Sequence, residues 1–261
     1  MAAAVATTTD AFLGGRVECV QPDEGHHRSG LDAVLLAAAL PAATRGMALD
    51  LGAGAGVAGL CAAARCADLS VTLIEREAEL VRCAEASLRL PANRNLVGRV
   101  KMERADIAAL PDALRESADE VICNPPFHDG EANSASPKAG RAGAHVLAAE
   151  GLDPWLRAAA TVLRPRGRLT LIFRADGLDA VLAALARRFG AVDVLPIHPR
   201  ANLPAGRVLV AGRKGRRAAM RLLPPLVLHG EDGKAFLPPV DAILRNGAAL
   251  GDVHPPWQGR R

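Results

Sequence analysis

The sequence lacks the cysteine and leader patterns that mark secreted, zinc-binding and membrane proteins. Its five cysteines are odd in number and include no Cys-x-x-Cys pair, which argues against a disulfide framework and a zinc site. The first residues lack the basic and apolar regions of an export signal. No apolar stretch is both long enough and poor enough in glycine to span a bilayer. We therefore expect a protein of the reducing cytoplasm that binds no metal and does not enter a membrane.

Apolar residues are plentiful, and the chain is long enough to build its own core. Of the 261 residues, 50% are hydrophobic and 23% are charged, a composition that excludes a disordered chain. The 25 glycines and 18 prolines follow no repeat period, which excludes a collagen-like protein. This length allows one large domain or two small ones, so folding needs no disulfide or structural metal.

Positive charge is concentrated in the last quarter of the chain. Residues 198–261 contain 11 basic and 4 acidic side chains, whereas residues 1–197 contain 21 and 24. A basic cluster in this region is expected to contact the phosphates of a polyanionic substrate, provided that it lies beside the active site. The alternatives are a solvated surface, a tail that only completes the sheet, and a general arginine bias in the composition. The members of the cluster are Arg213, Lys214, Arg216 and Arg217.

Short apolar runs alternate with helical patterns along residues 31–211. This alternation predicts an α/β fold, a parallel doubly wound sheet with helices on both faces and its ligand site at the carboxyl ends of the strands. Gly14-Gly15 indicates a hairpin within residues 12–20, and residues 1–11 are expected to be disordered. Strands are predicted over residues 47–51, 70–74, 100–104, 120–123, 169–173, 191–196 and 207–211, and helices over residues 31–40, 57–65, 77–90, 152–163 and 178–189.

A glycine-rich loop follows the first of these strands, in the pattern Asp50-x-Gly52-x-Gly54-x-Gly56. Glycines at alternate positions allow a tight turn and a close approach of the backbone to a ligand. Glu75 ends the second strand, where a carboxylate can hold a ribose hydroxyl. Both NAD and S-adenosylmethionine fit this layout. Asp50 favours S-adenosylmethionine, because its carboxylate can accept from the amino group of this donor and would repel a pyrophosphate.

The third strand is followed by Ala105-Asp106-Ile107. The carboxylate of Asp106 could accept a hydrogen bond from the adenine amino group of the donor, while Ile107 packs against the ring. The alternative is that Asp106 caps the turn that follows it. Because the glycine loop and Glu75 also fit a donor site, the adenine contact is favoured.

Asn124-Pro125-Pro126-Phe127 closes the fourth strand. The amide oxygen of Asn124 and the backbone carbonyl of Pro125 could accept the two hydrogens of an exocyclic amine on a planar base. They would draw its nitrogen toward tetrahedral geometry and free the lone pair to attack a sulfonium methyl group, with no strong base. Phe127 could stack on the base, and Pro126 and His128 could contact it. The alternative is a rigid turn that only ends the strand.

These motifs, in this order and spacing, resemble the class I S-adenosylmethionine-dependent amino-methyltransferases, and more narrowly the bacterial tRNA(Val) adenine-37 N6-methyltransferase-like group. The resemblance extends over residues 10–250. It implies a seven-stranded Rossmann-like sheet with an antiparallel last strand, and S-adenosyl-L-methionine as cofactor. It also implies a hairpin and helix over the donor pocket at residues 12–40, where Arg28 and Asp32 contact the cofactor. The catalytic domain is then predicted over residues 41–213 and a basic extension over residues 214–261.

Two features leave the methylated group open. The family's loop often reads Asn-Pro-Pro-Tyr, whereas this chain has no tyrosine, and residues 124–130 resemble the ribosomal RNA guanine-N2 methyltransferases. We predict an N-methyltransferase of an exocyclic base amine in RNA, with adenine N6 of tRNA favoured. The alternatives are guanine N2 of ribosomal RNA and the amide of a protein glutamine. A NAD oxidoreductase and a non-catalytic RNA-binding module are disfavoured rivals.

Overall fold

The computed structural model describes residues 6–23, 29–126 and 140–258, except for the side chains of residues 140–150. Its centre is a nine-stranded sheet in the order β10-β8-β9-β7-β6-β3-β4-β5, with β11 also paired to β8. All neighbours in the sheet are parallel except β9, which is antiparallel to both β7 and β8. The strands of the sheet are β3 (Gly46–Leu51), β4 (Leu69–Glu75), β5 (Val100–Arg104), β6 (Ala118–Cys123), β7 (Leu163–Arg174), β8 (Phe189–His198), β9 (Arg207–Lys214), β10 (Arg221–Leu222) and β11 (Leu226–Val227).

Helices cover both faces of the sheet, and each face has its own hydrophobic core. One core contains Leu36, Leu60 and Ile243, and the other contains Leu156 and Val181. The helices over the first core are α1 (Leu31–Ala38), α2 (Val57–Arg65), α3 (Ala78–Leu88), α6 (Pro238–Asn246) and α7 (Leu250–Val253), and those over the second are α4 (Gly140–Val162) and α5 (Leu178–Leu185). Among the described helices, none is long and apolar enough to cross a membrane.

The seven predicted strands all form, and the last of them is antiparallel, so the predicted Rossmann-like fold is confirmed. The sheet nevertheless has nine strands, because the two-residue strands β10 and β11 add to β8. These strands, together with α6 and α7, come from the segment predicted as a basic extension. Trp257 near its end donates a hydrogen bond from Nε1 to the carbonyl of Ala39 at 2.9 Å. The C-terminal segment therefore completes the fold.

The N-terminal hairpin begins earlier than the sequence predicted. Strand β1 (Thr7–Phe12) pairs along its whole length with β2 (Val17–Pro22), so the expectation of disorder up to residue 11 is wrong for residues 7–11. The sequence of β1 is polar and shows no alternation of apolar and polar residues. Strand β2, however, buries Val17 and Cys19 and provides hydrogen-bonding partners for the backbone of β1.

Helix α4 is also longer than predicted, since it begins at Gly140 and not at residue 152. Gly151 and Pro154 interrupt the helical pattern of the sequence, and both normally disfavour a helix interior. Packing of Leu152 and Leu156 into the second core stabilises the helix around them.

Parallel pairing brings the functional loops to one edge of the sheet. Leu51 at the end of β3 lies opposite both Ile74 of β4 and Cys123 of β6. The glycine loop, Glu75 and the Asn124 loop therefore leave the sheet side by side, as the prediction of a site at the carboxyl ends of the strands requires.

Candidate active site

The three glycines of the loop after β3 have the same backbone conformation but different surroundings. Gly52, Gly54 and Gly56 all have positive φ, at 66°, 58° and 90°. A Cβ on Gly52 would overlap the indole ring of Trp155, and one on Gly56 would meet Leu73 at 2.8 Å. A Cβ on Gly54 would meet no atom of the described residues within 4 Å. Gly54 is therefore the glycine of the three that faces open space, and a side chain there would fill the cradle predicted for the donor.

Asp50 is buried on β3 and ties the loop to helix α2. Its Oδ2 accepts a hydrogen bond from the N–H of Gly59 at 2.8 Å. Burial raises the pKa of this carboxyl to about 7; the Gly59 hydrogen bond opposes the rise, and the nearby charge of Glu75 adds to it. This oxygen has a partner within the protein, so its predicted contact with the amino group of the donor stays a prediction.

Glu75 holds the glycine loop from the end of β4. Its Oε2 accepts from the N–H of Gly54 at 2.9 Å, and its Oε1 accepts from the N–H groups of Arg76 and Glu77 at 2.8 and 2.9 Å. The side chain is buried, with 7% exposure. A carboxylate at this position thus orders the backbone next to the open cradle. Its contact with a ribose stays a prediction.

Asp106 follows β5 and caps the short turn that begins at Ile107. Its Oδ1 accepts from the N–H of Ala108 at 2.9 Å, and Arg76 Nη1 lies 3.7 Å from its Oδ2. The capping alternative is therefore realised. Ile107 is half-buried and packs against the second core. These contacts do not test whether Asp106 and Ile107 bind adenine. Asp106 lies close to Glu75 at the carboxyl edge of the sheet.

Asn124 follows β6 with an unsatisfied polar atom. Its Oδ1 is buried and has no hydrogen-bond partner among the residues that the structure describes. Buried polar atoms are normally paired, so an unpaired acceptor at a loop of the site indicates a missing partner. Pro125 is buried and Pro126 is exposed. Phe127 and His128 lie outside the described residues.

The segment before the sheet contributes an ion pair to this edge. Asp32 in the first turn of α1 accepts from Arg207 Nε at 2.8 Å, and Arg207 is the first residue of β9. This pair fastens α1 to the sheet on the side of the site. The predicted contact of Asp32 with the cofactor is not tested by it, and Arg28 lies outside the described residues.

The basic cluster lies at the opposite edge of the sheet, so the condition that it lies beside the Asn124 loop is not met, and its predicted phosphate contacts stay a prediction. In the register of the sheet, Arg213 of β9 lies opposite Arg168 of β7. Arg168 in turn lies opposite Glu120 near the start of β6. The physical reason is the direction of β9: being antiparallel, it begins at the site with Arg207 and ends at the amino ends of its neighbours. Lys214, Arg216 and Arg217 follow Arg213 there.

Trp155 is a site residue that the sequence did not indicate. Its ring packs from α4 against the glycine loop at Gly52, and it is half-buried on the edge of the second core. In the sequence it stands in an ordinary helical pattern between Leu152 and Leu156, which predicts only a core position. Among the described residues, no group of three or more His, Cys, Asp and Glu side chains is placed to hold a metal ion.

Residues 26–199 match the family model described as the methyltransferase small domain. The tRNA1(Val) (adenine(37)-N6)-methyltransferase of Dickeya chrysanthemi is 25% identical over 83% of this chain and 86% of its own length. The ribosomal RNA large subunit methyltransferase G of Pseudoalteromonas translucida is 33% identical, but the match spans 32% of this chain and only 21% of that protein. The crystal structure of a predicted O-methyltransferase, Atu636 from Agrobacterium tumefaciens, is 34% identical with a TM-score of 0.70, covering 84% of this chain and 97% of that one.

The chain belongs to the methyltransferase small domain family. This membership confirms the prediction of a methyltransferase with S-adenosyl-L-methionine as its methyl donor, and it confirms the resemblance to the tRNA(Val) methyltransferase group. The residues of the carboxyl edge fit this donor, since Gly54 leaves a cradle open and the carboxylate of Glu75 lies beside it.

Proposed function

We propose that this protein is a cytoplasmic enzyme that methylates an exocyclic amine of an RNA base, with adenine N6 of tRNA as the substrate. The observation that carries the proposal is the buried Oδ1 of Asn124, which lies next to the glycine loop and has no hydrogen-bond partner among the described residues. An amine supplies the hydrogen-bond donor that this atom lacks. A hydroxyl has a single hydrogen and would not engage two acceptors, so the loop favours methylation of nitrogen over oxygen.

The protein acts on the amine through two acceptors. Asn124 Oδ1 accepts one hydrogen, and the backbone carbonyl of Pro125 accepts the other. Neither proline of the loop has an N–H, so no backbone donor at these two positions competes for the acceptors. Two hydrogen bonds from the amine localise the nitrogen lone pair, which is otherwise delocalised into the ring. Orientation and electrostatics therefore activate the nitrogen for attack without a general base.

The donor binds at the same carboxyl edge of the sheet, beside the glycine loop. Bound S-adenosyl-L-methionine supplies an electrophilic methyl group. Gly54 leaves room for the donor, and the Glu75 carboxylate lies where it can exchange its Gly54 hydrogen bond for one from a ribose hydroxyl. Arg76, which follows Glu75 in the chain, lies 3.7 Å from the carboxylate of Asp106. Asp106 is proposed to contact the adenine of the donor.

The relatives support a tRNA substrate more than a ribosomal one. The tRNA1(Val) methyltransferase aligns over 86% of its length, whereas methyltransferase G aligns over 21%. Guanine N2 of ribosomal RNA is kept as a second candidate because residues 124–130 resemble that class.

The proposal is tested by nucleoside mass spectrometry. Purified protein and S-adenosylmethionine are incubated with unmodified tRNA, with unmodified ribosomal RNA and with total protein, and each product is digested and analysed. We expect N6-methyladenosine in tRNA, and none with Asn124→Ala. N2-methylguanosine in ribosomal RNA would select the second candidate. Methylglutamine in protein with no methylated nucleoside would overturn the assignment to RNA.

A further inference from the structure

Three segments meet at the amino edge of the sheet, opposite the active site: the start of β7, the turn before β8 and the loop after β9. Arg213 Nη1 donates to the carbonyl of Arg166 at 3.1 Å, which joins the end of β9 to the start of β7. The N–H of Gly215 donates to the carbonyl of Arg188 at 3.0 Å, which joins the same turn to the one before β8. Residues far apart in the chain thereby form one continuous surface.

Four arginines of this surface are exposed and unpaired. None of their side chains forms a hydrogen bond or ion pair with a residue that the structure describes. They come from all three segments, so the charge does not result from one basic stretch of sequence. We name them the amino-edge arginines: Arg166, Arg187, Arg216 and Arg217.

Three acidic side chains near this surface are already paired with other cations. Glu116 pairs with Lys214 at 2.9 Å, Asp119 with Arg164 at 2.7 Å, and Asp153 with Arg188 at 2.7 Å. These pairs neutralise their own partners and leave the positive charge of the amino-edge arginines uncompensated. Elsewhere on the surface, arginines such as Arg157 and Arg245 have acidic partners one helical turn away.

Two of the four arginines also occupy an unfavourable backbone conformation. Arg166 has a φ of 68° and Arg187 a φ of 72°, where glycine or asparagine would be more stable. An arginine in the left-handed region costs about 1–2 kcal/mol relative to glycine. Arginine at both positions therefore has a cost in stability that its own contacts within the described structure do not offset.

We infer that the amino-edge arginines bind the phosphate backbone of the RNA substrate at a distance from the methylated base. The inference rests on the proposed function. From Glu120, beside this surface, β6 runs to Asn124, about 13 Å at about 3.3 Å per residue. In double-stranded DNA, successive phosphates of one strand are about 3.4 Å apart along the helix axis. A nucleic acid that extends several nucleotides beyond its target base is therefore longer than the distance between the two edges.

Such contacts fix the position of an RNA without reading its sequence. They would select a substrate by its size and shape, while base choice stays with the Asn124 loop. The predicted consequence is a split in kinetics: loss of the amino-edge arginines raises the KM for tRNA and leaves kcat unchanged. A role in folding would lower the thermal stability of the protein instead.

The test compares two fourfold variants that lose the same formal charge. In the first, Arg166, Arg187, Arg216 and Arg217 are changed to Gln. In the control, four exposed arginines of α3, the turn after it and α6 are changed to Gln: Arg82, Arg89, Arg94 and Arg245. The Kd for unmodified tRNA is measured for wild type and both variants at two salt concentrations, with Kd for S-adenosylhomocysteine and thermal stability as checks.

We expect the first variant to bind tRNA at least about tenfold more weakly, with a log Kd against log salt slope lower by roughly 0.7–0.9 per lost contact. The control variant should match wild type, and both should bind S-adenosylhomocysteine normally. Equal tRNA affinity and slope in both variants would overturn the inference. Binding to polyglutamate that needs these arginines, with tRNA binding unchanged, would overturn it in favour of an acidic protein partner. Wild type that binds tRNA through them but methylates no base would contradict the proposed function alone.

Discussion

The donor side and the acceptor side of the active site are built on opposite principles. On the donor side each carboxylate has a backbone partner: Asp50 is bound to Gly59, and Glu75 to Gly54 and two further N–H groups. On the acceptor side Asn124 has a buried oxygen with no partner in the described structure. The backbone of the donor side is therefore held by hydrogen bonds within the protein, whereas we propose that the substrate completes the acceptor side.

This difference has a physical logic. The donor is a constant molecule, so a rigid cradle lowers the entropy lost when it binds. The amine must be engaged more strongly as it reacts, and an unpaired acceptor keeps its full hydrogen-bonding capacity for that step. An atom that is already paired would have to exchange one hydrogen bond for another. The four predictions below test this contrast.

The largest effect is expected for Asn124→Ala. Removal of this acceptor should lower kcat by roughly a hundred- to a thousandfold, because the amine keeps only one acceptor and loses a preorganised group. Affinity for S-adenosylhomocysteine by calorimetry should stay within a few-fold. Asn246→Ala, on the exposed end of α6, is the matched control. Loss of donor affinity in Asn124→Ala would mean that the loop is structural.

Glu75→Ala should act on the donor side alone. It removes the acceptor of three backbone N–H groups, and we expect S-adenosylhomocysteine to bind about ten- to a hundredfold more weakly, as loss of a charge-assisted hydrogen bond predicts. Calorimetry well below the melting temperature separates this effect from unfolding. The neighbouring Glu77→Ala is the control, since its side chain is exposed. Unchanged donor affinity in Glu75→Ala would remove Glu75 from the donor site.

Asp50 predicts a pH dependence of stability. Its pKa is raised to about 7 in the folded protein, above its value of 3.8 in the unfolded chain, so the folded state binds the proton more tightly. Stability should therefore fall as the pH rises from about 4 to 7, by about 1.4 kcal/mol per pH unit at most. Asp50→Asn keeps an oxygen for the Gly59 N–H and removes this titration.

The check is denaturant unfolding of wild type and Asp50→Asn at several values of pH. Glu120, whose pKa burial also raises to about 7, contributes a decline of the same sign and remains in the variant. The decline should thus be shallower in Asp50→Asn but not absent. Parallel curves for the two proteins would show that Asp50 does not titrate in this range.

The smallest effect separates two glycines of one loop. Both Gly52→Ala and Gly54→Ala force a side chain into a positive φ, which costs about 1–2 kcal/mol in each. Gly52→Ala also meets the ring of Trp155, so it should destabilise the protein by about 1–3 kcal/mol more. Gly54→Ala should instead weaken donor binding, because its methyl group enters the open cradle.

Unfolding free energies of the two variants, and of Gly52→Ala combined with Trp155→Leu, provide the measurement. The smaller leucine should relieve part of the collision, so the two changes are expected to be non-additive. Equal destabilisation by Gly52→Ala with and without Trp155 would rule out the contact as its cause.

Much of the site was predictable because it follows from local pattern. Glycines at alternate positions after an apolar run, and an acid at the end of the next run, place Gly54 and Glu75 at the edge of a parallel sheet whatever the rest of the chain does. The parallel, doubly wound arrangement of the sheet was also predictable from the alternation of strands and helices. What failed were features with weak local signals: β1 has a polar sequence, and α4 contains Gly151 and Pro154. Pairing and packing overrode both.

The sequence by itself determined the fold class, the methyltransferase family and the residues that meet at the carboxyl edge, because parallel strands carry their ends to a common edge regardless of distant contacts. Only the tertiary structure decided the partners of those residues: Gly54 for Glu75, Gly59 for Asp50, and none for Asn124 Oδ1 among the described residues. The basic cluster lies away from the site because β9 is antiparallel to its neighbours. The family resemblance implied this direction, but the pattern of charge along the chain does not report it.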